Sequence, residues 1–303
     1  MSCGFKVFVP LLVHLTFLVF VNCSYWWDQN DNVGRIYTDA KPVEIGNHPY
    51  LVSIIAVEYT FDGISMKDNF RCGGAIIKAI HERYGIVLTA GSCLHSLKTN
   101  HISAENVRVR TNSEYWMSCD CGLAESYMIH KWHLHPDYRE LVEPYGTVIH
   151  NDIGLIAVQG LWRGDYDRAS LNKPLQYARW PPVINMREIN AYTLGWGYTK
   201  SVREVSKELQ IAVGFSLTSS DDCGKYYKRN VPFNTYCIGP ADRSSGTPCA
   251  FDQGGPVLWD SSDGKKYLIG ITSIAAWCGD VQRPTIVVNS SLFADFINDV
   301  AWV

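Results

Sequence analysis

With 303 residues, 47% hydrophobic and 13% aromatic, the chain carries ample material for a packed core, which excludes the disordered and fibrous classes. Its length allows two ordinary domains or one large all-β unit. A formal net charge of -3 gives no basic footprint for phosphate or sulfated glycan, so nucleic acid is excluded as a partner.

In chain order, residues 1–23 read as an export signal. Lys6 supplies a positive charge, and 7–21 is apolar apart from His14 and Thr16, too short to span a bilayer comfortably. Val21 and Cys23 sit at the third and last positions before an expected cut between Cys23 and Ser24. No second apolar run of about 20 residues follows. The mature chain is therefore expected to be secreted and extracellular, with no membrane association. Leaving out Cys3 and Cys23, the remaining cysteines are Cys72, Cys93, Cys119, Cys121, Cys223, Cys237, Cys249 and Cys278, an even set expected to form disulfides in an oxidising compartment. Zinc is the competing reading, and it fails because Cys119 and Cys121 form the only closely spaced pair.

From Pro49 onward, short apolar or alternating runs between turn signals predict strands at 50–57, 75–78, 85–89, 107–110 and 153–158. The second half repeats the style at 191–194, 209–213, 256–259, 267–274 and 285–288. No long amphipathic helix intervenes, which points to a barrel or sandwich. Only the end is predicted helical: Asn289, Ser290 and Ser291 can cap, and Leu292, Phe293, Phe296, Ile297 and Val300 fall at helical spacing. Asn289-Ser290-Ser291 is also an acceptor triplet for glycan.

The local motifs are more specific. Arg35-Ile36, Gly46 and Pro49-Tyr50 are followed by Cys72-Gly73-Gly74 and by Leu88-Thr89-Ala90-Gly91-Ser92-Cys93. Asp152-Ile153-Gly154-Leu155, Gly195-Trp196-Gly197 and Cys249-Ala250-Phe251-Asp252-Gln253-Gly254-Gly255-Pro256 complete the series. In that order, from about Ile36 to Val303, the chain resembles the chymotrypsin/trypsin-like serine protease family. The resemblance implies an all-β fold of two six-stranded antiparallel β-barrels with a C-terminal helix and a cleft between the barrels. It divides the chain into a signal peptide at 1–23, a short propeptide at 24–35 and a protease-homologue domain at 36–303, with barrels at approximately 36–160 and 161–303.

The mechanism that the resemblance implies needs a serine oxygen, an imidazole to take its proton and a buried carboxylate to orient the imidazole. Asp152 stands at the acid position, but Ser92 occupies the histidine slot and Gln253 the nucleophile slot. An amide is not nucleophilic, and a serine hydroxyl cannot act as the base at neutral pH. His95, three residues beyond Ser92, is expected on a loop pointing elsewhere. The former oxyanion hole maps to the N–H groups of Phe251 and Gln253, where Phe251 replaces a glycine and is expected to strain the loop or fill the cleft. The former specificity pocket maps to Thr247 at its floor and to Ala275 and Thr285 on its wall, side chains that are expected to close it.

Other features are retained. Asp252 matches the aspartate that pairs with the new ammonium of Ile36 after cleavage behind Arg35, while Thr38 and Asp39 replace two glycines that would ease that insertion. The resemblance implies the disulfides Cys72 with Cys93, Cys223 with Cys237, and Cys249 with Cys278. Cys119 and Cys121 stay unassigned, open to a bridge with each other or to another chain. Glu114 and Glu125 flank their loop at roughly a calcium-site spacing, but solvated loop carboxylates are the commoner explanation, and neither metal nor cofactor is expected.

The resulting expectation is a secreted, catalytically inactive serine protease homologue, no enzyme, that binds an extracellular protein. The partner would be a protease, an inhibitor or a cascade component, and the role that of cofactor, decoy or regulator of extracellular proteolysis. The alternative is a weakly active serine-type endopeptidase, or another hydrolase with a relocated catalytic group. The 10 Trp and 17 Tyr would also suit a carbohydrate or lipid binder, although most should be core or barrel-edge residues.

Overall fold

The computed structural model describes residues 41–59, 66–80, 84–117, 125–159, 189–199, 202–240, 247–260, 266–275 and 284–299. Its strands in the first half are β1 (Lys41–Pro42), β2 (Leu51–Tyr59), β3 (Met66–Ile80), β4 (Tyr84–Thr89), β5 (Val107–Thr111), β6 (Glu125–Leu134), β7 (Arg139–Glu143), β8 (Gly146–His150) and β9 (Gly154–Gln159). In the second half they are β10 (Ala191–Gly195), β11 (Tyr198–Thr199), β12 (Val202–Val205), β13 (Gln210–Thr218), β14 (Thr235–Pro240), β15 (Pro256–Asp260), β16 (Lys266–Ile274) and β17 (Thr285–Val288).

Two closed antiparallel barrels result. The first runs β2-β3-β4-β9-β6-β5 and closes through β2 and β5, with Ile54 opposite Val109. The second runs β13-β10-β15-β16-β17-β14 and closes through β13 and β14, with Leu217 opposite Ile238. The unbroken buried run 51–57 becomes a strand covered on both faces, whereas β13 alternates buried with more exposed positions as a strand with one wet face does. Register shifts at Ile54/Ile55 in β2 and Val257/Leu258 in β15 supply the local bends that closure requires.

The barrels are locked to each other. Trp196 and Trp116 both pack near Phe70, and their indole N–H groups donate to the carbonyls of Glu114 (2.7 Å) and Ser206 (2.9 Å). Each end of the described chain also crosses over. β1 pairs with β13 of the second barrel, with Lys41 opposite Ile211, although the sequence boundaries assign it to the first. The short 3-10 turn Ser290–Phe293 and the helix Ala294–Asp299 bring Phe293 and Phe296 onto His135 of the first barrel, at ring distances of 5.4 and 4.8 Å. Asn289 caps this end by accepting from the N–H of Ser291.

Two helices were not expected. Gly91–Thr99 carries no capping side chain, and its buried Leu94 and Leu97 are too few to mark a period. Ser220–Tyr227 does carry a start signal, since the hydroxyl of Ser219 accepts from the N–H of Asp222 and Asp221 and Asp222 stand in the first turn.

Candidate functional site

Asp152 is buried where the two barrels meet. It accepts three hydrogen bonds: from the N–H of Ser92 (2.5 Å) and the hydroxyls of Ser92 (3.1 Å) and Ser273 (2.5 Å). The N–H of Ser92 is one of the unpaired donors of a helix's first turn, so the helix Gly91–Thr99 delivers a donor to the carboxylate. Burial nevertheless raises the pKa of Asp152, against the lowering effect of Ser273 and Ser92. Sequence reasoning missed Ser273. The available signal was Ser273, beside Thr272, in a predicted strand of mostly apolar residues, since a buried hydroxyl must find a partner.

Gln253 reaches the same junction from the second barrel. Its carbonyl accepts from the N–H of Gly73 (2.9 Å), and the Cys72–Cys93 disulfide ties that strand to the helix bearing Ser92. The next residue, Gly254, donates its N–H to the carbonyl of Thr272 (2.8 Å), immediately before Ser273. Gly254 has φ +78°, and a Cβ there would lie 2.3 Å from Oγ1 of Thr89 and 2.4 Å from the carbonyl of Gly73. Only glycine fits where the barrels touch. Ser92 and Asp152 are therefore bonded directly, while Gln253 is joined to them through the backbone of Gly73 and the Cys72–Cys93 disulfide.

The geometry at Phe251 is unusual. Its φ is +73°, in the left-handed region that a bulky side chain rarely adopts, and its ring packs against Tyr198 with centroids 4.7 Å apart. Its N–H, one of the two expected oxyanion donors, is taken by Oε1 of Gln253 at 2.8 Å.

Asp252 lies buried behind this turn. Its carboxylate accepts from the N–H groups of Gly197 (2.7 Å) and Cys249 (2.8 Å). A Cβ on Gly195 or Gly197 would fall 2.1 or 2.3 Å from a carboxylate oxygen, which explains the Gly195-Trp196-Gly197 motif as a cradle. Burial pushes the pKa of Asp252 up to about 6 in spite of these two bonds. Arg35 and Ile36, the expected junction, lie outside the described residues.

Thr247 and Thr285 are buried, and Oγ1 of Thr247 has no hydrogen-bond partner among the described residues. Ala275 is half-buried at the end of the strand bearing Ser273. Cys223 and Cys237 are bridged, and Cys249 is disulfide-bonded, while Cys278, Cys119 and Cys121 lie outside the described residues. Glu114 contributes its carbonyl to Trp196 and to the N–H of Leu209. Among the described residues no cluster of His, Cys, Asp and Glu could hold a metal ion, and no helix is long and apolar enough to cross a membrane.

The expectation for His95 is corrected. It lies on the helix Gly91–Thr99, one turn from Ser92, with its ring 5.2 Å from that of Tyr138. The reason is the unexpected helix, which places residues three apart on one face.

A family model described as Trypsin matches residues 38–297. The relatives include a venom serine protease of Polistes dominula, 24% identical over 280 residues, which cover 92% of this chain and 88% of the relative. Trypsin epsilon of Drosophila erecta is 26% identical over 272 residues, 88% of each chain. Chymotrypsin-like elastase family member 3B of Macaca mulatta is 27% identical over 236 residues, covering 75% of this chain and 81% of the relative. These comparisons overturn the expectation that the chain is no enzyme, because the family and its relatives carry the names of proteases and point the opposite way. The physical reason is that the residue types at 92 and 253 do not by themselves show the hydroxyls bonded around Asp152 to be idle. The match over 38–297, on two closed antiparallel barrels with their junction at Asp152, means that the chain belongs to the trypsin family of serine proteases.

Proposed function

We propose that the chain serves extracellular proteolysis by recognising polypeptide in the cleft between its barrels, with a protease, an inhibitor or another cascade component as its partner. The observation that supports this most is the bond from the N–H of Phe251 to Oε1 of Gln253. A donor already spent inside the loop leaves the cleft presenting an amide, an aromatic ring and the hydroxyl of Ser92 to an incoming chain. Those groups suit recognition through shape and hydrogen bonds.

Maturation fits the same reading. The chain would be secreted after loss of 1–23 and cut behind Arg35, and the ammonium of Ile36 would then neutralise Asp252. A buried carboxylate with no ion-pair partner among the described residues favours such a cation. Any glycan on Asn289 would have to leave intact the cap it makes with Ser291.

The names of the relatives support a second reading, hydrolysis by a relocated group. The hydroxyl best placed for it is that of Ser92, already bonded to Asp152. Both readings are tested on secreted, purified protein. Immobilised native chain should retain a protein from its extracellular fluid, and Phe251→Gly with Gln253→Ala should lose it. Equal retention by the two would remove the cleft from the proposal. Peptide turnover that vanishes in both Ser92→Ala and Asp152→Asn would make the second reading the better one.

A further inference from the structure

The hairpin that leads into the cleft is built unlike the barrels. β7 and β8 pair only with each other among the described residues, with Arg139 opposite His150, Leu141 opposite Val148 and Glu143 opposite Gly146. β8 is held to the body. Val148 is buried, a Cβ on Gly146 would lie 3.1 Å from the guanidinium of Arg229, and Asn151 accepts from Asn234 and donates to the carbonyl of Asp137. β7 is left outside, with Leu141 43% exposed, Val142 89% exposed and Tyr145 at the turn 67% exposed. Its base is fixed by Tyr138, whose ring lies tilted against that of His95 and whose hydroxyl donates to Glu140. A rigidly presented open edge with apolar side chains is a template for another strand.

The edge is complementary to itself. Side chains alternate, so Arg139, Leu141 and Glu143 share one face, and Glu140 and Val142 share the other. Antiparallel pairing of β7 with the β7 of a second copy, centred on Leu141, sets Arg139 opposite Glu143 at both ends and leucine against leucine between them. Centring on Glu140 would instead set carboxylate on carboxylate. Neither Arg139 nor Glu143 has an ion-pair partner among the described residues. We infer that β7 is the interface of a symmetric homodimer, in which two copies form a continuous four-stranded ribbon. A five-residue ladder alone falls short of the roughly 1,200 Å² of a standard stable interface, so the dimer is weak and concentration-dependent. Because β8 ends two residues before Asp152, the ribbon joins the rims of the two clefts.

Sedimentation equilibrium from about 1 μM to about 1 mM tests this. Native protein should dimerise reversibly. Arg139→Glu or Glu143→Arg alone should weaken the dimer about tenfold or more, and the double swap should restore it. Protein that stays monomeric throughout overturns the inference, and so does a dimer indifferent to both single changes or one that the double swap fails to rescue. Near-UV circular dichroism guards against misfolded variants. Amide exchange of 139–143 in the unaltered chain gives a second reading: it should slow as concentration rises, and exchange independent of concentration overturns the interface.

Discussion

Replacing Asp252 by asparagine probes the cradle that holds this carboxylate with no cation beside it among the described residues. The carboxylate is buried, bonded among the described residues only to the N–H groups of Gly197 and Cys249, and its pKa stands at about 6 against an ordinary 3.8. The folded state therefore holds this proton more tightly than the unfolded state does. Stability from this group is full below the ordinary value and is lost as pH rises through the folded one. The separation corresponds to about 3 kcal/mol, lost between roughly pH 4 and 6. Asparagine cannot titrate, and it turns an amide donor toward one of two N–H groups, so Asp252→Asn should carry a constant cost and lack that slope. Urea unfolding at intervals from about pH 4 to 7, with the uncut native chain compared to the variant, isolates the group from all other carboxylates. A stability difference between the two that does not change with pH would refute the account of Asp252 as an unneutralised buried acid. Cutting behind Arg35 should abolish the slope in the native chain, because an adjacent ammonium holds the carboxylate charged.

Ser273→Ala removes a hydroxyl donor from buried Asp152 and should cost about 1–3 kcal/mol, with the pKa of Asp152 rising further, both read from unfolding at several pH values. Thr247→Val replaces a buried hydroxyl that has no partner among the described residues, so thermal unfolding should show no loss, or a gain of up to about 1 kcal/mol. Gly254→Ala forces a Cβ against Thr89 and the carbonyl of Gly73 at φ +78°, and it should destabilise by more than about 3 kcal/mol or prevent secretion.

The strands were legible where local physics fixes them. The run 51–57 and the alternation in 209–213 need only a core on one side or both to become β2 and part of β13. β6 was not read, because its outward positions Ser126, Met128 and His130 alternate with only two buried apolar residues, Tyr127 and Ile129, before charge and indole intervene. The hairpin of β7 and β8 escaped for a related reason: most of its side chains face solvent, so no periodicity marks it.

The same division runs through the site. The order of the motifs alone led to the assignment of Ser92, Asp152, Asp252 and Gln253 to their slots, and the glycines of Gly195-Trp196-Gly197 and Gly254 belong to contacts that leave no room for a Cβ. Only the tertiary structure decided what those residues do to one another. Ser273 reaches Asp152 across 121 positions of sequence, Gln253 turns back onto the N–H of Phe251, and His95 comes to lie one helical turn from Ser92. Hydrogen bonds of this kind depend on where two closed barrels meet, and that meeting is set by the packing of Phe70, Trp116 and Trp196. Local pattern marks the strands whose apolar runs or alternation are strong, such as β2, and leaves β6 and the β7–β8 hairpin to the tertiary structure. The directions of donors and acceptors at the seam exist only after both barrels have closed and docked.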